Sequence, residues 1–435
     1  MKDKPKVRLK NMKNKITKYT DDIWYPDKKL NERQINTNSW FNISEYASNT
    51  KNKFKQRRYI LEKSEKIKYH SIKITLVLNE QQKNIIKSWL NLYLDMYNIA
   101  LKYVKGHIET DKKVLNWKYL RGLLKQEKND LIKKSDIKVH DIDYAIKLVC
   151  QNYKSAITNY KNGHINYFRI RYWRKKKRNK IMDMEKYNFS KNGIRYKTLG
   201  KIMGLYNGKK YNFEEIDCDC KLQHVDDKYY LFVPIKGQNN TQLKKDHNKM
   251  ISIDPGIRTF GTGITENKII KIGENCGNKI RNYLKRKDGI NGNDQISEEI
   301  KKKNEEMINK KIKNAVNDMH WKSINYLIKN NEIILIGNMS SKNIVRKIGK
   351  LDKMTKRIAM SLAFYIFRKR LKYKCDINEI KYGEIDEWMT SKMCSKCGYV
   401  KWDLGGNKIY KCDNCKRNID RDVNGARNIY IKSIK

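Results

Sequence analysis

The spacing of hydrophobic positions changes several times along the chain, and each change marks an element. Residues 72–78, Ile-Lys-Ile-Thr-Leu-Val-Leu, alternate with period two, as a strand with one buried face does. Asn79 follows, with Gln82 three residues on, the signature of a capping box at a helix start. Ile86, Leu90, Tyr93, Tyr97, Ala100 and Val104 then recur at helical spacing, and helical sequence runs on to about residue 164. The aromatic stripe on that helix reads as core rather than as a base-stacking platform. Residues 195–235 break into short Tyr-, Ile- and Val-rich strands around Gly204, Asn207 and Gly208, which predicts a small β-domain.

After residue 246 the pattern shifts again. An apolar strand at 250–254 ends in an acid, and 259–265 and 268–273 read as two more strands in hairpin sequence. A charged helical stretch covers 294–329, with Ile308, Ile312, Ala315 and Met319 on one face. A fully apolar strand at 333–336, a helix at 354–371, a strand at 377–385 and a helix from Val423 to the end complete the series. The length of 435 residues suggests roughly three domains. The fold class expected is α+β multidomain.

Charge changes the picture most. The chain has 97 Lys plus Arg against 47 Asp plus Glu, a net of +50. Such self-repulsion calls for a polyanion, either nucleic acid or an anionic membrane. No apolar run approaches the ~18 residues that cross a bilayer, and MKDKPKVRLKNMKNK lacks the apolar core of a secretory signal. The expectation is an intracellular protein whose partner is nucleic acid. Part of the charge reflects a Lys-, Asn- and Ile-rich composition, as an AT-rich genome produces. Residues 1–65 read as a basic, weakly structured extension: a solvated tail, a nuclear address or an arm on phosphates.

Residues 167–180, YFRIRYWRKKKRNK, interleave aromatics with cations and contain no acid. Cations neutralise phosphates and aromatic rings stack on bases. Arg169, Arg171, Trp173, Arg174, Lys175, Lys176, Lys177 and Arg178 are therefore the candidate nucleic-acid contacts. A strand with a solvated basic face, or a nuclear address in RKKKR, are the other readings.

Five of the nine cysteines are scattered: Cys150, Cys218, Cys220, Cys276 and Cys375. The other four form two C-x-x-C pairs, Cys394/Cys397 and Cys412/Cys415, with fourteen residues between them. Two such turns close one tetrahedral thiolate site for zinc. A full set of four thiolates leaves no open position, so the metal would be structural. Gly398, Gly405 and Gly406 supply turns for a zinc ribbon.

Two acidic features flank this ribbon. Ile251-Ser-Ile-Asp254-Pro-Gly256 places an acid at a strand end followed by a glycine turn, a metal-ligand placement that also occurs as an ordinary turn. Asp420-Arg-Asp422-Val-Asn424-Gly-Ala-Arg427-Asn428 puts acids at the entrance of the last helix, where N-capping is the simpler role.

The order D-P-G, strand, helix, T-S-K-x-C-x-x-C-G, C-x-x-C and D-R-D-x-N-G-A-R-N-I resembles the transposon-encoded TnpB proteins, and more closely their eukaryotic and giant-virus relatives, the Fanzor proteins. The likeness covers residues from about 67 to 435 and is most specific over 384–430. It implies an RNA-guided DNA endonuclease with a guide RNA from the mobile element and double-stranded target DNA as partners. The implied domains are a wedge β-barrel at 66–79 and 165–246, a helical recognition domain at 80–164, an RNase H-like RuvC nuclease domain at 247–383 and 421–435, and a zinc ribbon at 384–420. The expected assembly is a monomeric protein in a ribonucleoprotein, in a nucleus or a viral factory and away from membranes.

By the same resemblance Asp254 and Asp422 match the first and last RuvC aspartates, with Asp420 only a neighbour. The middle acid departs from the pattern: where most TnpB proteins end a strand in Glu, this chain has Gly337-Asn338. Many Fanzor proteins carry a compensating Glu just before the T-S-K-x-C motif, and Glu387 is the matching residue here, with Glu384 and Asp386 as fallbacks. Asp254, Glu387 and Asp422 would hold catalytic Mg²⁺. Without such a replacement the chain would be a guided DNA-binding repressor. A DNA-joining transposase ranks third, since no tyrosine or serine recombinase motif is evident.

Overall fold

A computed structural model of the chain describes residues 32–34, 40–47, 59–63, 69–134, 137–175, 179–225, 227–236, 248–339 and 351–434. Two compact units emerge: Lys68–Gly237, and the residues before and after it. The chain enters with β1 (Glu32–Gln34) and β2 (Ile43–Ala47), whose partners come much later.

The Lys68–Gly237 unit opens on β3 (Tyr69–Val77). Helices α1 (Glu80–His107), α2 (Trp117–Leu123), α3 (Lys125–Ile132) and α4 (Val139–Lys161) follow. Next come β4 (Asn179–Met184), β5 (Phe189–Ser190), β6 (Gly193–Ile194), the single turn α5 (Tyr196–Leu199), β7 (Met203–Tyr206), β8 (Lys209–Lys210), β9 (Cys220–Val225) and β10 (Lys228–Lys236). Six strands form an antiparallel sheet in the order β4-β9-β10-β3-β7-β8. Its apolar face and helices α1 and α4 share one hydrophobic core, in which Trp89, Tyr93 and Tyr97 are fully buried. The aromatic stripe is core. The capping box forms as expected: Gln82 N–H donates to Asn79 Oδ1 at 2.8 Å and Asn79 N–H to Gln82 Oε1 at 3.0 Å. Gln82 also donates from Nε2 to Leu199 O at 2.8 Å, which ties the helix start to the sheet's far connection.

The other unit continues with β11 (Asn248–Pro255), β12 (Thr259–Ile264), β13 (Lys268–Glu274), α6 (Cys276–Asn291), α7 (Glu298–Asn330) and β14 (Asn331–Gly337). It ends with α8 (Lys353–Leu362), α9 (Phe364–Ile377), β15 (Lys381–Ile385), β16 (Ile409–Lys411), β17 (Asn418–Asp420) and α10 (Arg421–Ser433). A seven-stranded sheet runs β1-β2-β13-β12-β11-β14-β15. β11, β14 and β15 are parallel, and the helix pairs α6–α7 and α8–α9 make the crossovers that parallel pairing requires.

Both faces of this sheet are covered, which is why its central strands read as continuous apolar runs. Ile251, Ile253, Ile334 and Ile336 face α6, α7 and α9, while Met250 and Leu335 face α10 and the cysteine-bearing segment. With a side-chain period of two, residues 252, 254, 335 and 337 share the α10 face. That parity puts Asp254 on the face against which α10 packs.

Three features differ from the sequence expectation. Residues 1–65 are not a separate extension where they are described: β2 pairs with β13, Phe41 and Ile43 are buried, and Ile60 N–H donates to Ser433 O at 2.7 Å. Residues 1–31 lie outside the described residues. The helix expected at 354–371 breaks at Ala363, which takes a left-handed φ of 51°. Buried His320 bonds the Leu362 carbonyl at this break through Nε2 at 3.0 Å, and burial pulls its pKa down to about 4. Helix α6 forms at 276–291, between the strand at 268–273 and the charged helical stretch at 294–329. Among the described residues no helix is long and apolar enough to cross a membrane.

Candidate metal centres

The two C-x-x-C segments fold as a matched pair of turns. Gly398 N–H donates to Cys394 O at 2.9 Å, and Lys416 N–H donates to Cys412 O at 3.0 Å. Cys394 N–H then reaches Tyr399 O at 2.8 Å, and Cys412 N–H reaches Arg417 O at 2.9 Å. Each turn needs a left-handed residue at one position, filled by Gly398 (φ 75°) and by Lys416 (φ 59°). The result brings Cys394 and Cys415 sulfurs to 3.7 Å and Cys397 and Cys412 sulfurs to 3.5 Å. All four ligand atoms lie within 4.8 Å of one another. Thiols crowded this closely fit a single tetrahedral ion that takes them as thiolates. Burial raises Cys394 and Cys412, whereas at Cys397 burial is outweighed by hydrogen bonds from the Tyr399 N–H and neighbouring side chains, which bring it down to about 7.

The acid centre is assembled from distant segments at the carboxyl ends of three parallel strands, where open α/β sheets place their ligands. Asp254 is the next-to-last residue of β11 and is 9% exposed. Across from it, α10 offers Gly425: a Cβ there would stand 2.2 Å from Asp254 Oδ2. Glu387 follows β15 by two residues. Its carboxylate lies over Gly337 at the end of β14, where a Cβ would meet Glu387 Oε1 at 2.1 Å and its Cγ and Cδ at 2.7 Å. Met339 N–H donates to Glu387 Oε1 at 3.0 Å. Asp422 sits in the first turn of α10, while Asp420 caps that helix by accepting from Asp422 N–H at 2.9 Å and Val423 N–H at 3.3 Å. Asp420 is further engaged by Lys271 Nζ at 3.3 Å.

Burial raises all three acids, and the charges of the other two act on Asp254. Burial, then the charges of Glu387 and Asp422, raise Asp254 well above the usual carboxylate range. Burial pushes Glu387 up to about 7, opposed by the Met339 N–H and the Arg368 guanidinium. Asp422 is raised by burial and by Asp420, with Arg421, Lys271 and Arg258 opposing. Desolvated carboxylates, with Asp254 feeling the charge of the other two, are what a hard divalent cation relieves, so the donor set suits Mg²⁺. Among the described residues, the four cysteines are the group of three or more His, Cys, Asp or Glu side chains whose ligand atoms converge on one point.

Comparison with known proteins identifies the family. Residues 364–429 match a family model described as Cas12f1-like, TNB domain. Over 481 aligned residues the chain is 31% identical to TnpB-like protein L79 of Acanthamoeba polyphaga mimivirus, covering 100% of this chain and 89% of that protein. The chain belongs to the TnpB-like family. Over 105 residues, 24% of this chain and 25% of the relative, it is 35% identical to a Streptomyces pristinaespiralis protein whose name proposes RNA-guided DNA endonuclease activity. Among solved structures, a Cas12f1–sgRNA–target DNA complex aligns at TM-score 0.29 and 14% identity, over 83% of this chain and 98% of that chain. At that level the fold rests on its own geometry.

In this TnpB-like chain the ribbon is clamped to α10 by two buried amides that sequence reading passed over. Asn424 accepts from Ser395 N–H at 2.9 Å and donates to Met393 O at 2.8 Å, and Asn428 donates to Thr390 O and Met393 O, both at 2.7 Å. Their signal was present as the two Asn of D-R-D-V-N-G-A-R-N. The basic stretch is more divided. Arg169, Arg171 and Arg174 are exposed, as is Tyr167 at 75%. Lys175 pairs with Asp95 at 2.9 Å. Trp173 does not face solvent as a stacking platform: its ring stacks on Tyr97 at 4.3 Å and its backbone N–H donates to Asn98 Oδ1 at 2.8 Å. Lys176, Lys177 and Arg178 lie outside the described residues.

Proposed function

We propose that this TnpB-like chain is an RNA-guided DNA endonuclease of a mobile element, with a RuvC-type centre in which Asp254, Glu387 and Asp422 are the magnesium ligands. One observation carries the reading. The Glu387 carboxylate fills the space over Gly337 that a strand side chain would take, so the acid missing from β14 is replaced from the loop after β15. When bound, Mg²⁺ supplies an activated water and neutralises charge on the scissile phosphodiester. The chain's own residues do the rest. Asp254 supplies a carboxylate from a rigid strand, Glu387 a second from the loop, and Asp422 a third from the helix entrance. Arg258, Lys271 and Arg421 lie near enough to oppose the charge on Asp422. Asp420, occupied as a cap and as a partner of Lys271, is not a ligand in this reading. The four thiolates hold structural zinc that anchors the loop carrying Glu387 to the helix carrying Asp422.

Target choice would follow from pairing between the guide RNA and one DNA strand, with the protein reading duplex shape and phosphates. The exposed Arg169, Arg171 and Arg174 are candidates for those phosphate contacts, in a monomeric protein bound to RNA. The test is to express the protein with its flanking element DNA, sequence the RNA that co-purifies, and present matched DNA with Mg²⁺. Glu387→Ala is expected to bind that DNA and leave it uncut. Full cleavage by this variant would overturn the ligand assignment. Binding without cuts by the unaltered protein would make it a guided DNA-binding protein instead, and absence of a discrete RNA would contradict the guided reading as a whole.

A further inference from the structure

A ligand on a loop loses the rigidity that a strand provides, and about 1 Å of misplacement can cost ~100-fold in rate. The loop carrying Glu387 is held in an unusual way. Three successive carbonyls are bonded: Lys432 Nζ donates to Asp386 O at 2.6 Å and to Trp388 O at 2.9 Å, and Thr390 donates to Glu387 O through its N–H at 3.1 Å and its hydroxyl at 2.9 Å. Lys432 also lies 3.4 Å from Asp386 Oδ2. The next residue, Met389, is left-handed at φ 66°, a conformation a non-glycine residue keeps only when its surroundings hold it. On the inner side Asn338 Oδ1 accepts from Glu387 N–H at 3.3 Å. Arg368 Nη1 donates to Met339 O, the peptide neighbour of the N–H that holds the Glu387 carboxylate.

Lys432 lies on α10, the helix that also carries Asp422 and the Gly425 notch against Asp254. One helix therefore supplies one ligand, seats a second and holds the loop of the third. We infer that Lys432 is the positioning residue that makes a loop glutamate serve in place of a strand glutamate, by clamping the carbonyls on either side of Glu387. This rests on the reading of Glu387 as a metal ligand. Its own prediction is narrower: Lys432 matters because the ligand comes from a loop, and it ceases to matter when the ligand returns to the strand.

The swap variant Gly337→Glu/Glu387→Ala supplies that comparison. Substitution at 387 removes the three atoms nearest a Cβ at 337, so the strand position gains room. Lys432→Met is made in the unaltered and the swap backgrounds, and Lys432→Arg in the unaltered one. Three quantities are read: Mn²⁺ affinity of the purified protein by calorimetry, kcat and KM for cleavage of matched DNA, and hydrogen exchange at the Met339 amide. In the unaltered background Lys432→Met is expected to weaken Mn²⁺ about 10- to 100-fold, as loss of a ligand's support does. It should lower kcat with KM unchanged, and speed Met339 exchange. Lys432→Arg should keep most of each. In the swap background Lys432→Met should change neither Mn²⁺ affinity nor kcat by more than about twofold. Equal losses in both backgrounds would overturn the inference and leave Lys432 as part of the fold. If the swap does not restore cleavage, Met339 exchange decides alone: unchanged protection in Lys432→Met would sink the proposal. Retained cleavage and Mn²⁺ affinity in Glu387→Ala would refute the ligand reading itself, a separate outcome.

Discussion

The cysteine ribbon and the acid cluster proposed to hold magnesium are made in opposite ways. The ribbon draws its four ligands from 394–415, and each pair is shaped by hydrogen bonds within its own turn. The acid centre draws on residues 254, 387 and 422, and no local turn brings them together. Its carboxylates are placed by packing: Asp254 against Gly425, and Glu387 over Gly337. A local site tolerates change around it as long as its turns remain. A packed site depends on the absence of a side chain at two glycines far away in sequence.

The strongest way to break the contrast is at the ribbon. Structural zinc contributes on the order of 10–16 kcal/mol in small zinc domains, so Cys394→Ser or Cys415→Ser should unfold the ribbon and release the clamp on α10. Cleavage should then fall further than RNA binding, read by gel shift and cleavage on one preparation. Equal loss of both would mean the whole chain has unfolded. Next in size is Gly425→Ala, which sets a methyl where Asp254 Oδ2 stands and should lower cleavage about 100-fold while the thermal transition of the protein persists. Asn428→Ala removes a buried donor shared by the Thr390 and Met393 carbonyls and should cost about 1–3 kcal/mol in denaturant unfolding.

The smallest effect is the dependence of metal stabilisation on pH. Glu387 is raised in the fold from its ordinary 4.5 to about 7, so between those values the folded chain holds more protons than the unfolded one. Its contribution to stability is present below about 4.5 and is lost as pH rises through about 7. Asp254 and Asp422 shift in the same direction. A divalent cation offsets that loss, so 5 mM Mg²⁺ should raise the melting temperature by ~2–4 °C at pH 8 and by less at pH 5. A rise that is the same at both pH values would argue against ligation by these acids.

Local chemistry was the legible part of this chain. The Asn79–Gln82 capping box and the two C-x-x-C turns depend on neighbours in sequence, and both could be read from spacing. Asp254, Asp422 and Glu387 were named together only through the family resemblance, and their spacing in sequence does not place them near one another. What stayed hidden depends on distant partners. β2 is short and gains its place by pairing with β13, so residues 40–47 carried little pattern of their own. The break at Ala363 has no glycine or proline to announce it, because helical periodicity runs straight across 354–371. The interleaving of aromatics and arginines did not show which of them pack inward: Phe168, Ile170 and Trp173 pack against the core while Arg169 and Arg171 are exposed. Lys432 could not be singled out among so many lysines until its two carbonyl partners were seen.

The most direct test of the central claim is single-turnover cleavage of matched DNA by the RNA-loaded protein in Mg²⁺, comparing Glu387→Ala with Gly337→Glu/Glu387→Ala. If Glu387 stands in for a strand acid, the single variant binds DNA without cutting it and the double variant regains measurable cleavage. Cleavage by Glu387→Ala at the unaltered rate would contradict the account.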